Sequence, residues 1–486
     1  MIAAAIAAFA MLLRPHAHAS VERAPSVPRD TAPVVALHRA APEWGPRAQH
    51  DLQSVLRTAL APAISGARDW SCVVISQGGR VLFDDGGQRA VEPASAQKLI
   101  VADAAIDDLG ADYRFDTFLA ATKPPANGAI GGDLWLAGSG DPSLRSGDLR
   151  NAVAVLRKNG IDAVSGRLVV DPSAIGGEEI NPLWNADDSN EDFMAATSGI
   201  SIDEDTVEFD VTGGVPGSPA RIELNPNAPA VTYSGSIETG DGDDVVIAGT
   251  AQPNQFRVYG TIPPGVRERF WLPVHGIPQY AAGVLDDLLR SGGIGVGAKP
   301  QTGTIPLDSQ ILWEHRSQPL VQLLHHMLIF SDNHYAEQLM RAVGGTSGDV
   351  ADDSTGLAAE RSVLQSQEIP TPGLHLVDGS GLAHANRVAA ITLAGILARF
   401  EAQPRGNVLY PLLPRGGVDG TLKMYHFVSA AGRVRAKSGH LDDAASLAGY
   451  VDTRKHGRVI FAFMINGSPG DPDAAIVSAV DRIAER

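Results

Sequence analysis

Ser95 and Lys98 lie three positions apart, directly after Pro93 and Ala94. If a helix starts at Ser95, that spacing puts the hydroxyl and the amine on one face, one turn apart. A serine hydroxyl attacks a carbonyl only when a neighbouring base takes its proton, and a lysine deprived of water or set beside other cations can be that base. Alone, the pair reads far more readily as an N-capping serine with a solvated lysine. Two later stretches supply partners for the chemical reading: Ser331-x-Asn333, and Lys437-Ser438-Gly439.

Each stretch needs an element to hold it. Apolar residues Leu52, Val55, Leu56 and Leu60 recur at helical spacing over 47–64. Two β-rich runs, Ser71-Cys72-Val73-Val74-Ile75 and Arg80-Val81-Leu82-Phe83, follow and are joined through Gly78-Gly79. The Ser95 helix continues through Leu99, Ile100, Ala102 and Ala105 and stops near Gly110. From 113 to 279 short β-prone segments alternate with glycine-rich and proline-rich turns, with one helical interlude at 149–158. Helical texture returns at 280–289 and at 319–342, where Phe330-Ser331-Asp332-Asn333 interrupts the apolar period. Another helix is expected at 389–400. Near the C-terminus come strand signals around Lys437, at 446–452 and at 459–465, then a helix at 473–484. The first motif therefore sits on a helix start, the second at a helix break and the third on a strand.

With 486 residues the chain exceeds what one core supports, so several domains are expected. A formal net charge of -17 and the lack of a Lys/Arg block argue against a nucleic-acid partner. The single cysteine, Cys72, lies in an apolar run and reads as a packed core thiol. Asp241-Gly242-Asp243-Asp244 lacks the spacing of a calcium loop and reads as a solvated turn. Residues 1–19 are apolar and alanine-rich and end in Ala17-His18-Ala19, as a cleaved secretory signal does. No lysine or arginine precedes the apolar core, and an uncleaved anchor or a misassigned start is the competing reading. Residues 20–46, rich in proline, read as a flexible leader.

Three such motifs in this order resemble the serine β-lactamases and penicillin-binding proteins, with Ser438 where threonine is usual. The roughly 230 residues between Lys98 and Ser331 are too many for a connection within one domain, so an insertion is required. That insertion resembles the D-alanyl-D-alanine carboxypeptidase/endopeptidase family of penicillin-binding protein 4, the low-molecular-mass class C group. So do Gly138-Ser139-Gly140-Asp141-Pro142-Ser143-Leu144, Ser331-Asp332-Asn333-x-x-Ala336-Glu337, and Asp378-Gly379-Ser380-Gly381-Leu382 before Asn386-Arg387-Val388. The resemblance implies an α/β fold: a serine β-lactamase/transpeptidase-like domain with an antiparallel sheet flanked by helices, and a large mostly-β insert of one or two small domains. Its first part would be 47–112, the insert 113–279 and its second part 280–486.

The resemblance also implies roles. Ser95 would attack the carbonyl between two D-alanines while Lys98 takes its proton, and an acyl-enzyme would form and hydrolyse. Ser331 would relay a proton to the leaving amine, and Asn333 would hold Lys98 and the substrate amide. Lys437, keeping cationic character, would bind the terminal carboxylate with Ser438. The N–H groups of Ser95 and of His440, after Gly439, would bind the oxyanion. No metal or other cofactor is required. In 184–193 the resemblance points to a loop over the site, with Asp188 and Phe193 lining a pocket for the stem-peptide side chain; a solvated acidic loop is the plainer reading. Where the family commonly has an arginine after the Asp-Gly-Ser-Gly-Leu string, this chain has Ala383-His384, and His384 is either a partial replacement or a surface histidine. Implied partners are peptidoglycan stem peptides and β-lactam antibiotics, in an extracytoplasmic compartment; peripheral membrane association stays open and oligomeric state is unspecified. The competing functions are a β-lactamase or esterase on the same fold and a catalytically silent peptidoglycan-binding protein.

Overall fold

The computed structural model describes residues 43–486 apart from 195, 348–349 and 404–405. The expected signal at 1–19 and nearly all of the leader at 20–46 lie outside the described residues. Trp44, within the expected leader, is buried and stacks on His456, and Pro46 opens the first helix.

In strand Asp69–Ser76 the run Cys72-Val73-Val74-Ile75 has no polar face, and a strand divides such a run between its two sides. Both sides are buried. Cys72 and Val74 pack with helices Pro46–Ile64 and Pro472–Ala484, while Val73 and Ile75 pack with helices Lys98–Asp108, Leu320–Phe330 and Ala390–Glu401. Strand Arg458–Asn466 repeats the division, with Phe461 and Phe463 on one side and Ile460 and Ala462 on the other. The antiparallel sheet runs Val81–Asp85, Asp69–Ser76, Arg458–Asn466, Ala444–Asp452, Val434–Leu441. Its last strand carries Lys437, Ser438 and Gly439. This is the helix-flanked sheet expected.

The chain between the Ser95 helix and helix Leu320–Phe330 builds two further cores. One lies under a mixed sheet ordered Gln301–Thr302, Leu168–Asp171, Leu134–Gly138, Asp116–Ala121, Gln310–Arg316, covered by helices Ser146–Lys158 and Ile277–Ser291. The other is formed by small sheets, among them Arg221–Asn225, Thr206–Thr212 and Arg267–Pro273. Strand Gln310–Arg316 pairs with Asp116–Ala121, so the inserted part closes near 317 and not at 279. A boundary drawn where helical periodicity returns misses chain that later re-enters the same sheet.

Helices Leu320–Phe330 and Asn333–Gly344 flank the expected break. Helix Asp353–Ser366 has no counterpart in the sequence reading, because Glu360 sits on the face that Leu357, Val363 and Leu364 bury and spoils the apolar period. The insert is fastened to helix Asn333–Gly344 by polar contacts: Arg341 donates to the carbonyls of Gly176 and Glu178, Gln338 to that of Ser198, and His334 Nδ1 lies 2.8 Å from that of Ala196. Among the described residues no helix is long and apolar enough to cross a membrane.

Candidate active site

Ser95 is carried by a 3-10 turn, Ala94–Gln97, that precedes helix Lys98–Asp108, so the α-helix starts at the lysine and not at the serine. Ala94 has φ 46°, a left-handed value that a residue with a Cβ adopts only where its surroundings enforce it. The turn brings Ser95 Oγ to 2.9 Å from Lys98 Nζ. Two more oxygens reach that nitrogen, Asn333 Oδ1 at 2.7 Å and the Ser380 carbonyl at 2.8 Å. Both can only accept. A neutral amine that gives its two hydrogens to them keeps its lone pair for the Ser95 hydroxyl proton. Complete burial lowers the Lys98 pKa to about 8, against the opposing pull of Glu337, Asp378 and Asp332.

Ser331 ends helix Leu320–Phe330 with φ 61°, and Asp332 caps the next helix by accepting from the Tyr335 N–H at 3.0 Å. Lys437 Nζ donates to Ser331 Oγ at 2.8 Å and also to the Ser438 carbonyl. The second and third motifs therefore meet directly. Lys437 is fully buried, and burial together with the charge of Lys98 pushes its pKa well below the usual lysine range. The standing cation expected at Lys437 thus becomes conditional: a carboxylate arriving beside it would restore the charge. Ser438 Oγ donates to Thr421 Oγ1 at 2.8 Å.

Gly439 explains how the third strand reaches the nucleophile. A Cβ there would lie 2.5 Å from Ser446 Oγ, 2.6 Å from the Ser95 nitrogen and 2.8 Å from the Ala96 nitrogen. The strand therefore runs against the amide expected to bind the oxyanion. His440, next along, turns its ring outward to Asp473 at 2.9 Å and the Tyr425 hydroxyl at 3.2 Å. Any part it plays at the reacting carbonyl falls to its backbone.

The loop that presents the Ser380 carbonyl is built on two buried acids. Glu337 accepts from the Gly379 and Ser380 N–H groups, and burial, with Asp378 nearby, pushes its carboxyl above the usual range. Asp378 accepts from the N–H groups of Gly381 and Ala383, from Asn386 Nδ2, from Gln97 Nε2 and from Trp184 Nε1. Gly381, at φ 81°, passes so close to the Ala94 carbonyl that a Cβ would lie 2.0 Å from it.

The insert reaches the site through the stretch that carries Asp188 and Phe193. Trp184 Nε1 bonds Asp378 at 2.9 Å, and the Phe193 carbonyl accepts from Asn333 Nδ2 at 3.0 Å. Asp188, partly exposed at the end of the turn Ala186–Asp188, lies between these anchors. The Phe193 ring is exposed. His384 Nδ1 lies 3.0 Å from the buried Glu92, which Arg68 also contacts. The structure thus brings Ser95, Lys98, Ser331, Asn333, Lys437, Ser438 and Gly439 together and adds Ser380, Glu337, Asp378, Thr421 and Trp184. Sequence reasoning gave these five no role. A backbone acceptor such as Ser380 has no side-chain signature, and Thr421 and Trp184 meet the site only through long-range packing. Two clusters have metal-ligand spacing among the described residues, Glu92–His384–Asp443 and Glu204–His326–Asp332. Arg68 pairs with both acids of the first and Arg145 with Glu204 of the second, so a guanidinium supplies the positive charge in each.

Residues 49–486 match the model of the D-Ala-D-Ala carboxypeptidase 3 (S13) family. The chain is 29% identical over 457 residues to a D-alanyl-D-alanine carboxypeptidase of Actinomadura sp. (strain R39), covering 90% of this chain and 84% of that protein. It is 30% identical over 408 residues to the D-alanyl-D-alanine carboxypeptidase DacB of Haemophilus influenzae, covering 81% of this chain and 84% of that protein. The crystal structure of penicillin binding protein 4 (dacB) from Haemophilus influenzae superposes with a TM-score of 0.76 at 27% identity, covering 88% of this chain and 97% of that one. The same protein complexed with a β-lactam superposes with a TM-score of 0.71.

Two outcomes follow from the geometry. Gly439→Ala drives a methyl group into the Ser95 amide, and its acylation by benzylpenicillin is expected to fall by about a hundredfold or more, since misplacement of reacting groups by 1 Å has effects of that size; stopped-flow labelling of the folded variant measures it. If Lys98 takes the Ser95 proton it must do so as the free amine, whose fraction grows as pH rises, so the acylation rate of the parent should climb with pH through about 8 and level off above it. A rate that falls over that range would assign the proton transfer to another group.

Proposed function

Because the chain belongs to the D-Ala-D-Ala carboxypeptidase 3 (S13) family, we propose that it is an extracytoplasmic serine D-alanyl-D-alanine carboxypeptidase working through an acyl-enzyme on Ser95, that it also cleaves peptidoglycan cross-links as an endopeptidase, and that penicillins acylate it. The observation that carries this reading is the Lys98 amine, buried, lowered to about 8, with two acceptors for its hydrogens and its third contact to Ser95 Oγ. In this reading Ser95 Oγ bonds to the carbonyl carbon of the penultimate D-alanine as its proton passes to Lys98. The tetrahedral oxyanion is held by the N–H groups of Ser95 and His440. Collapse breaks the C–N bond to the terminal D-alanine, whose nitrogen takes a proton relayed through Ser331, which Lys437 contacts at 2.8 Å. Water then attacks the ester by the reverse proton path. Lys437, Ser438 and Thr421 meet the terminal carboxylate, and its arrival favours the charged form of Lys437.

Fluorescent penicillin separates the readings. The parent should take a lasting label and release D-alanine from stem peptides, and Ser95→Ala should do neither. Rapid loss of label would identify a β-lactamase, no label a silent binder, and a labelled Ser95→Ala protein would overturn the nucleophile.

We further propose that Asp188 and Phe193 receive the side chain of the stem peptide. The two anchors of their loop on Asp378 and Asn333 support this, and a diaminopimelate side chain ends in an ammonium that a carboxylate recognises by a charge-assisted bond. His384, whose Nδ1 lies 3.0 Å from Glu92, would donate its Nε2–H to the distal carboxylate only in the doubly protonated form. Asp188→Asn should lower kcat/KM for diaminopimelate-bearing peptides about tenfold, or roughly 1.4 kcal/mol, and leave penicillin acylation unchanged. A parent-like Asp188→Asn, or the loss appearing in Asp187→Asn, would remove Asp188 from the pocket.

A further inference from the structure

In the inserted part, Asp203, Glu204 and Asp205 have φ of 53°, 59° and 52° in succession. A run of left-handed L-residues is unfavourable at every step and persists only where its surroundings over-determine it. They do so here. The Asp205 carboxylate accepts from Ser201 Oγ at 2.7 Å and from the Ile202 N–H at 3.0 Å, and the Asp203 carboxylate accepts from the Ser146 N–H at 3.2 Å. Thr206 Oγ1 donates to the Asp203 carbonyl at 2.9 Å, and the Val274 N–H to the Asp205 carbonyl at 3.0 Å.

The strained turn presents the Glu204 carboxylate between Arg145, with which it forms an ion pair, and His326, whose Nε2 is 3.6 Å away. His326 belongs to helix Leu320–Phe330, just before the second motif. Its Nε2 also lies 3.2 Å from Asp332 Oδ2, and its ring is stacked on Tyr335, centroids 4.3 Å apart, with Phe330 on its flank. Asp332 thus has both oxygens engaged, Oδ1 by the helix cap and Oδ2 by His326. It separates Ser331 from Asn333, the two groups that meet Lys437 and Lys98.

We propose that His326 is a positioning residue for the second motif, through which the strained turn Asp203–Asp205 of the insert holds Asp332, and with it the left-handed Ser331, in place against Lys437. A carboxylate with one oxygen capping a helix can still swing about that contact; a second bond to Oδ2 removes the swing. Although burial works against its charge, the Asp332 carboxyl is held below the usual carboxylate range, because His326 bonds its Oδ2 and the Tyr335 N–H bonds its Oδ1. The insert therefore acts on the chemistry at a point separate from the loop of Asp188 and Phe193, as a brace on the proton-relaying serine.

The proposal rests on the acyl-enzyme reading above, and the experiment keeps the two apart. Glutamine can put an N–H where His326 has Nε2, and asparagine is too short to do so. Acylation by benzylpenicillin, normalised to titrated active sites in folded protein, should be close to parental in His326→Gln and about tenfold slower in His326→Asn, with the loss in the acylation rate constant and the preceding affinity unchanged. Glu204→Ala should also be slow, and Glu204→Ala combined with His326→Asn no slower than the slower single variant, as members of one chain of contacts behave. Equal rates for the Gln and Asn variants, a loss confined to affinity, or losses that multiply in the double variant would each overturn the proposal while the acyl-enzyme reading stands. A parent that takes no label would remove both.

Discussion

A lysine amine that has lost all its water is the constraint on which the rest of this structure depends. Burying an ammonium is costly unless its hydrogens find partners, and Lys98 finds them in Ser95, Asn333 and Ser380, which come from separate stretches of chain. Each partner needs its own support. Ser380 is held by Glu337, whose carboxylate takes the N–H groups of Gly379 and Ser380 and so turns the carbonyl toward the amine. Asn333 is held from behind by the Phe193 carbonyl, on its amide nitrogen. The side-chain oxygen of Asn333 is thereby oriented to Lys98, since an amide that donates on one side presents its acceptor on the other.

Bringing three stretches to one amine requires backbone to pass backbone at distances that side chains forbid. Gly439 lets the edge strand lie against the Ser95 amide, and Gly381 lets the Asp378 loop lie against Ala94. Ala94 and Ser331 take left-handed conformations where the chain turns into the site. These departures from unstrained backbone sit next to Ser95, Lys98 and Lys437, and backbone of that kind persists only where its surroundings hold it.

The insert is part of this arrangement. It supplies Trp184 to the Asp378 carboxylate and the Phe193 carbonyl to Asn333, and it is fastened to helix Asn333–Gly344 by Arg341, Gln338 and His334. A domain docked through buried hydrogen bonds to the helix that follows Ser331 and Asp332 cannot move without disturbing the second motif. The unpaired groups left behind would each be penalised by desolvation.

The sequence by itself determined the three motifs, their order, and the helix break and strand under the second and third, because these depend on residue type, spacing and period, which are local properties; the 3-10 turn under Ser95 is set by tertiary contacts. Ser95, Lys98, Ser331, Asn333 and Lys437 were legible for that reason, as was the presence of a large insertion. Tertiary structure alone decided what lies between them. The return of strand Gln310–Arg316 to Asp116–Ala121 depends on pairing across roughly 190 residues, which no local pattern encodes. Glu360 hid its helix because a buried acid breaks the apolar period by which helices are read. The depressed pKa of Lys98 and the conditional charge of Lys437 come from loss of water, which exists only once the cores have closed.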